Sequence, residues 1–175
     1  MRLLENTAFR DGNLVSLLTA RPHIGPGREL LVMNIDHIYR PAIAKLAAAP
    51  VDDVTAFIDT DRTLGADDMK VERDPSGKVH RISKTLSQWD AGYVGMTKLP
   101  ATAEVQARYW ATVDATLAAE GRAVHVERVL ARLAESAQPA HRAANLLLTS
   151  LLAAVIVGGV LGTVAHTACC FVLKH

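Results

Sequence analysis

The chain has 175 residues, formal net charge +1 and two cysteines, enough for one domain and an appendage. The near balance of charge, with no Lys/Arg-rich run, excludes an electrostatic case for nucleic acid. Two cysteines, adjacent at Cys169-Cys170 in an apolar run, exclude a disulfide framework and a metal-ligand spacing and read as small buried hydrophobes.

In chain order, Asn13 is placed to cap a helix from Leu14 to about Arg21, with Leu14, Leu17 and Leu18 on one face. Pro22 to Gly27 ends it in a loop. Leu30 to Asn34 reads as a strand buried on both faces, the pattern of a parallel sheet. That run stops abruptly at Asp36-His37. A carboxylate just beyond the carboxyl end of such a strand is poised to hold a hard divalent cation against phosphate oxygens; it is equally placed to cap the next turn. Pro41 opens a helix that closes before Pro50. Val54 to Ile58 is a second buried strand, ending in Asp59-Thr60-Asp61. Met69 to Glu72 and Lys78 to Ile82 flank Asp74-Pro75-Ser76-Gly77, a hairpin signal. Lys84 follows two residues later. Ala91 to Met96 is a further strand; Ala101 to Glu120 and Val124 to Glu135 are amphipathic helices. Helix and strand alternate with short loops, which predicts an α/β domain with a mainly parallel sheet.

From Ala143 to Leu173 there is no Asp, Glu, Lys or Arg. That length suffices for a bilayer span, which needs about 20 apolar residues. We therefore expect residues 1–138 to form the folded domain and 142–173 a single transmembrane helix. Arg128, Arg132, His141 and Arg142 before the span, against Lys174 and His175 after it, place the domain on the cytoplasmic side. Gly158 and Gly162 have the GxxxG spacing that permits close helix contact.

The stretches GNLVSLLTAR, LLVMNIDHIYRPAI and ADDMKVERDPSGKVHRISKTLSQWDAGYVGM, in this order, resemble the nucleotidyltransferases that activate sugar or polyol phosphates. The similarity runs from about Glu5 to Thr97 and is strongest toward the inositol-1-phosphate cytidylyltransferases, often fused to a membrane-embedded CDP-alcohol phosphotransferase. It implies a Rossmann-like nucleotidyltransferase sheet with flanking helices, and a nucleoside triphosphate (CTP foremost) and a sugar or polyol phosphate as substrates. It also implies Mg²⁺ as cofactor. By the same resemblance Asp36 matches the metal-binding aspartate, Asn13 and Ser16 a polar pair beside the nucleotide, and Lys84 the catalytic lysine that reaches the phosphate of the sugar or polyol. Such chemistry asks for positioning and charge neutralisation more than for covalent help.

This sequence departs from that pattern twice. The family opens with a strand and a glycine-rich loop that cradles the phosphates, whereas Met1-Arg2-Leu3 begins nothing of the kind. Where the family has Asp-Thr-Gly with a second metal ligand, this chain reads Tyr93-Val94-Gly95, and the nearest acid is Asp90. An incomplete transferase, inactive alone and prone to pair with another chain along an uncovered sheet edge, is therefore expected. Two rival classes stand beside it: a non-catalytic, membrane-anchored half-domain, and a glycosyltransferase using Asp59 and Asp61 as an Asp-x-Asp metal motif. The bland reading of that last pair is a loop cap. His23, His80 and His125 lack ligand spacing and read as surface or packing residues, and Trp89 and Trp110 as packing between helix and sheet.

Overall fold

A computed structural model describes residues 3–35 and 41–137. Its elements in chain order are α1 (Asn13–Ala20), β1 (Leu30–Met33), α2 (Pro41–Ala48), β2 (Thr55–Asp59), β3 (Lys70–Arg73), β4 (Val79–Ser83), β5 (Ala91–Leu99), α3 (Ala103–Glu120) and α4 (Val126–Ser136). Short 3-10 turns at Phe9–Asp11 and Arg21–His23 bracket α1. The expected tail helix, 142–173, lies outside the described residues. Within them no helix is long and apolar enough to cross a membrane.

β5 is the axis of the sheet. Its Thr97 is opposite Val32 of β1 and Ala56 of β2, so those two strands flank it on opposite sides. Gly92 is opposite both Asp59 of β2 and Lys70 of β3, which puts β3 on the same side as β1. β1 and β3 thus follow one another along one flank of β5. The bonds Asn34 N–H to Gly95 O (3.0 Å) and Tyr93 N–H to Met69 O (2.8 Å) mark where one strand gives way to the other. β4 completes the sheet as the hairpin partner of β3.

The mainly parallel sheet predicted from sequence is corrected: every described strand pair is antiparallel. The misreading has a physical cause. Apolar side chains on both faces of a strand report that both faces are covered, not the direction of its neighbours. Leu30 and Val32 of β1 face a core shared with Leu14 and Leu17 of α1, Tyr109 and Val113 of α3, and Val129, Leu130 and Leu133 of α4. Met33 faces the other way, onto Ile43 of α2, Phe57 and Met96. With period two along the strand, this double cover makes the whole run apolar. The alternation of helix and strand is nevertheless genuine. β1, α2 and β2 form a crossover whose two strands share a direction, with antiparallel β5 inserted between them.

Two glycines are required by the backbone. At Gly95 (φ 77°) β5 bulges, its residues between Tyr93 and Thr97 facing only Phe57 on β2. A Cβ there would come within 2.5 Å of the Asn34 amide nitrogen. At Gly12 (φ 123°) a Cβ would lie 2.7 Å from Val124 O, so α1 starts in tight contact with the loop that leads into α4. The hairpin at Asp74–Gly77 forms as expected. The Asp74 carboxylate accepts the Ser76 N–H (2.8 Å), the Ser76 hydroxyl (2.5 Å) and the Lys78 N–H (3.1 Å).

Two lysines, one buried and one half-buried, knit the layers together. Lys98, 1% exposed in mid-β5, donates to Ala47 O (3.0 Å) and Ala49 O (2.7 Å) at the end of α2 and lies 3.0 Å from the Glu29 carboxylate. A cation at the last carbonyls of a helix satisfies groups that have no intrahelical partner. Lys78 does the same for α4 by donating to Ala137 O at 2.8 Å.

Candidate functional site

Lys84 directly follows β4, on the turn that returns the chain toward β5. Its Nζ meets Asp67 Oδ1 at 2.5 Å, and the Asp67 side chain is 98% exposed. The hydrogen bond to Asp67 raises the Lys84 pKa, and the bond to Lys84 lowers that of Asp67. Lys84 is therefore a fixed cation at any ordinary pH, and its partner is an aspartate that a more highly charged anion can displace, because ion pairs between exposed groups are weak.

The lysine lines a groove of about 600 Å³ between the β4 end of the sheet and α4. Met69, Ile82 and Ser83 form its sheet side; Val124, His125, Glu127, Arg128 and Ala131 form the helix side. Other cations here are engaged within the protein. Arg81 pairs with Glu72, and Arg128 bonds Glu120 (2.8 Å) and Glu135 (3.1 Å). Glu120, held also by Arg132, has its pKa lowered chiefly by that guanidinium, against the effect of burial.

Asn13 and Ser16 lie one turn apart on the exposed face of α1, opposite buried Leu14 and Leu17. Their side chains have partners inside the protein. Ser16 Oγ accepts the Asn6 amide at 2.9 Å. The expectation that Asn13 caps its own helix is corrected. Gly12 occupies that N-cap without a side-chain bond, and Asn13 Oδ1 accepts the Val126 N–H of α4 at 2.7 Å. A side chain in the first helical turn points back past the helix start, and in this fold the start of α4 is docked there. Asn13 thus touches the α4 terminus whose neighbours His125 and Glu127 line the Lys84 groove.

Asp36 lies outside the described residues; the chain approaches it through Ile35, which is 91% exposed beside the Gly95 bulge. No group of three or more His, Cys, Asp or Glu among the described residues could hold a metal ion. Asp90 is committed to Arg73, whose backbone N–H it accepts at 2.9 Å and whose guanidinium it pairs with. Asp59 accepts the Asp61 N–H at 2.9 Å, the loop cap of the bland reading.

His80 pairs with Asp74 at 3.3 Å, and His23 and His125 are exposed. Trp110 packs on the core and edge-on to Tyr109 (5.4 Å between centroids), as expected. Trp89 does not bridge helix and sheet: it is 44% exposed, with the Lys70 ammonium 5.2 Å from its ring centre. Sequence reasoning missed Asp67, Lys70 and the α4 wall. The signal for Lys70 was a lysine set between the apolar Met69 and Val71 at the head of β3.

This sheet and its flanking helices define a nucleotidyltransferase-like α/β fold. One solved structure it is similar to is the inositol-1-phosphate CTP transferase from T. maritima, with a TM-score of 0.59 at 13% sequence identity over 75% of this chain and 51% of that one. The chain thus spans about half the length of that structure, and at this identity the likeness is one of fold. No protein-family model matches the sequence, and no curated protein does.

Proposed function

We propose that the protein is a nucleotidyltransferase-like enzyme that takes a sugar or polyol phosphate at Lys84 and a nucleoside triphosphate, CTP foremost. The observation that carries this reading is a lysine held as a cation at the rim of a groove, paired with a displaceable exposed aspartate, on this fold. In the reaction the substrate phosphate oxygen attacks the α-phosphorus of the nucleotide and pyrophosphate leaves. Lys84 holds the attacking phosphate and offsets its charge, and the groove walls orient the rest of the substrate. Asn13 and Ser16, on the exposed face of α1, are the proposed nucleotide-side residues. Mg²⁺ at Asp36, proposed from the sequence resemblance, would neutralise triphosphate charge when bound. The apolar segment 143–173 is the proposed membrane anchor, with the domain on the cytoplasmic face.

The test is binding of inositol 1-phosphate in the presence of CTP and Mg²⁺, with Lys84→Met as control, because the chain is expected to be inactive alone. Binding that requires Lys84 supports the proposal; equal binding by Lys84→Met overturns the lysine's role. A second reading, a non-catalytic half-domain that pairs with another chain, is favoured by one observation. Among the described residues β1 pairs only with β5, leaving its other edge open to a further strand. Concentration-dependent association with no binding of CTP or inositol 1-phosphate would select that reading.

A further inference from the structure

We propose that Lys70 is a positioning residue of the Lys84 site, its buried ammonium tying together the backbone segments that carry Lys84 and Asp67. This rests on the reading of Lys84 as the phosphate-holding group. Lys70 opens β3 and is 5% exposed. Its Nζ donates to Lys84 O at 2.8 Å and to Gly65 O at 3.0 Å, with Asp68 O at 3.5 Å. A lysine ammonium has three N–H donors and no acceptor, so three converging carbonyls match its capacity. The Trp89 ring, 5.2 Å away, adds a face of negative potential over the same cation.

A buried ammonium is tolerated only while its protons are bonded. The carbonyls of residues 65, 68 and 84 are thereby held at fixed positions around one atom. Asp67 lies within the first of these segments and Lys84 in the other, so the clasp sets the distance across which their side chains meet. The carboxylate then occupies the place at Lys84 that a substrate phosphate would take. Ordering the Lys84 backbone in the free protein removes part of the entropy cost of binding that phosphate.

The test is competitive acetylation of lysines in the full chain at limiting acetic anhydride, read by peptide mass spectrometry. In the parent, Lys70 should be labelled far more slowly than exposed Lys45, and Lys84 more slowly than in Asp67→Asn. In Lys70→Met that retains its cooperative melt, Lys84 labelling should rise to the Asp67→Asn rate while Lys45 is unchanged. Inositol 1-phosphate, the probe for the groove, should bind more weakly in Lys70→Met, with part of the loss recovered in Lys70→Arg. Unchanged Lys84 labelling in folded Lys70→Met overturns the proposal. If that variant does not fold, the parent decides: Lys70 labelled as fast as Lys45 overturns it, and a protected Lys70 supports it. If the parent binds no inositol 1-phosphate, the labelling result still decides the role of Lys70, and the failure belongs to the phosphate reading of Lys84.

Discussion

Replacing Asn13 by alanine separates a packing role from a ligand-binding one. Asn13 Oδ1 accepts the Val126 N–H at 2.7 Å, one of the first-turn amides that has no partner within α4. His125, at the N-cap of α4, makes no side-chain cap of its own. Truncation to alanine therefore leaves the amide to water, at the cost of a lost helix cap, about 1 kcal/mol with a range of about 0.5–2. For a domain of this size that lowers Tm by about 3–5 °C. Asn13→Asp keeps an oxygen acceptor and adds a negative charge near the positive end of α4, so it should melt within about 1 °C of the parent. Thermal melts by far-UV circular dichroism, backed by urea titration, read all three proteins. An alanine variant as stable as the parent would refute the capping assignment. If that stable variant also lost nucleotide affinity, the Asn13 side chain would belong to the ligand.

Tyr109→Phe should be neutral or stabilising by up to about 1 kcal/mol, since a buried hydroxyl without a bond costs free energy. The Tyr109 hydroxyl has no hydrogen-bond partner among the described residues, and burial drives its pKa up; a clear loss of stability in urea would reveal a hidden partner. Asp74 has its pKa lowered from 3.8 to about 2, first by the Ser76 hydroxyl, with burial opposing and the Lys78 and Ser76 amides and His80 assisting. A depressed carboxyl stabilises the fold fully above its unfolded pKa and loses that contribution as pH falls through the folded value. Asp74→Asn should therefore show a shallower stability loss between about pH 4 and pH 2 than the parent; an NMR-titrated Asp74 at its ordinary value would contradict this. Cutting the chain after Gln138 should release a protein that no longer sediments with membranes after a high-salt wash; continued sedimentation would place the anchor elsewhere.

Much of the local structure was legible because it depends on neighbours in sequence. The hairpin followed from Asp74-Pro75-Ser76-Gly77, and β1 from its apolar run. α3 ends at Glu120 as expected, before Gly121. Strand direction was not legible, because helices on both faces of an antiparallel sheet write the same apolar pattern as a parallel one. Nor was the use of polar side chains across the fold. Asn13 is 113 residues from the amide it caps, and Lys98 reaches carbonyls about 50 positions away. The site was legible in part. Lys84 was singled out by resemblance and stands at a groove, whereas Asp67 and Lys70 complete its surroundings through contacts that only the folded chain makes.

Nucleotidyl chemistry at Lys84 is tested most directly by calorimetric titration of inositol 1-phosphate into the full chain with CTP and Mg²⁺ present. Saturable binding in the parent that is lost in Lys84→Met, with unchanged thermal melts, is the predicted result. Equal affinity in parent and variant would contradict it.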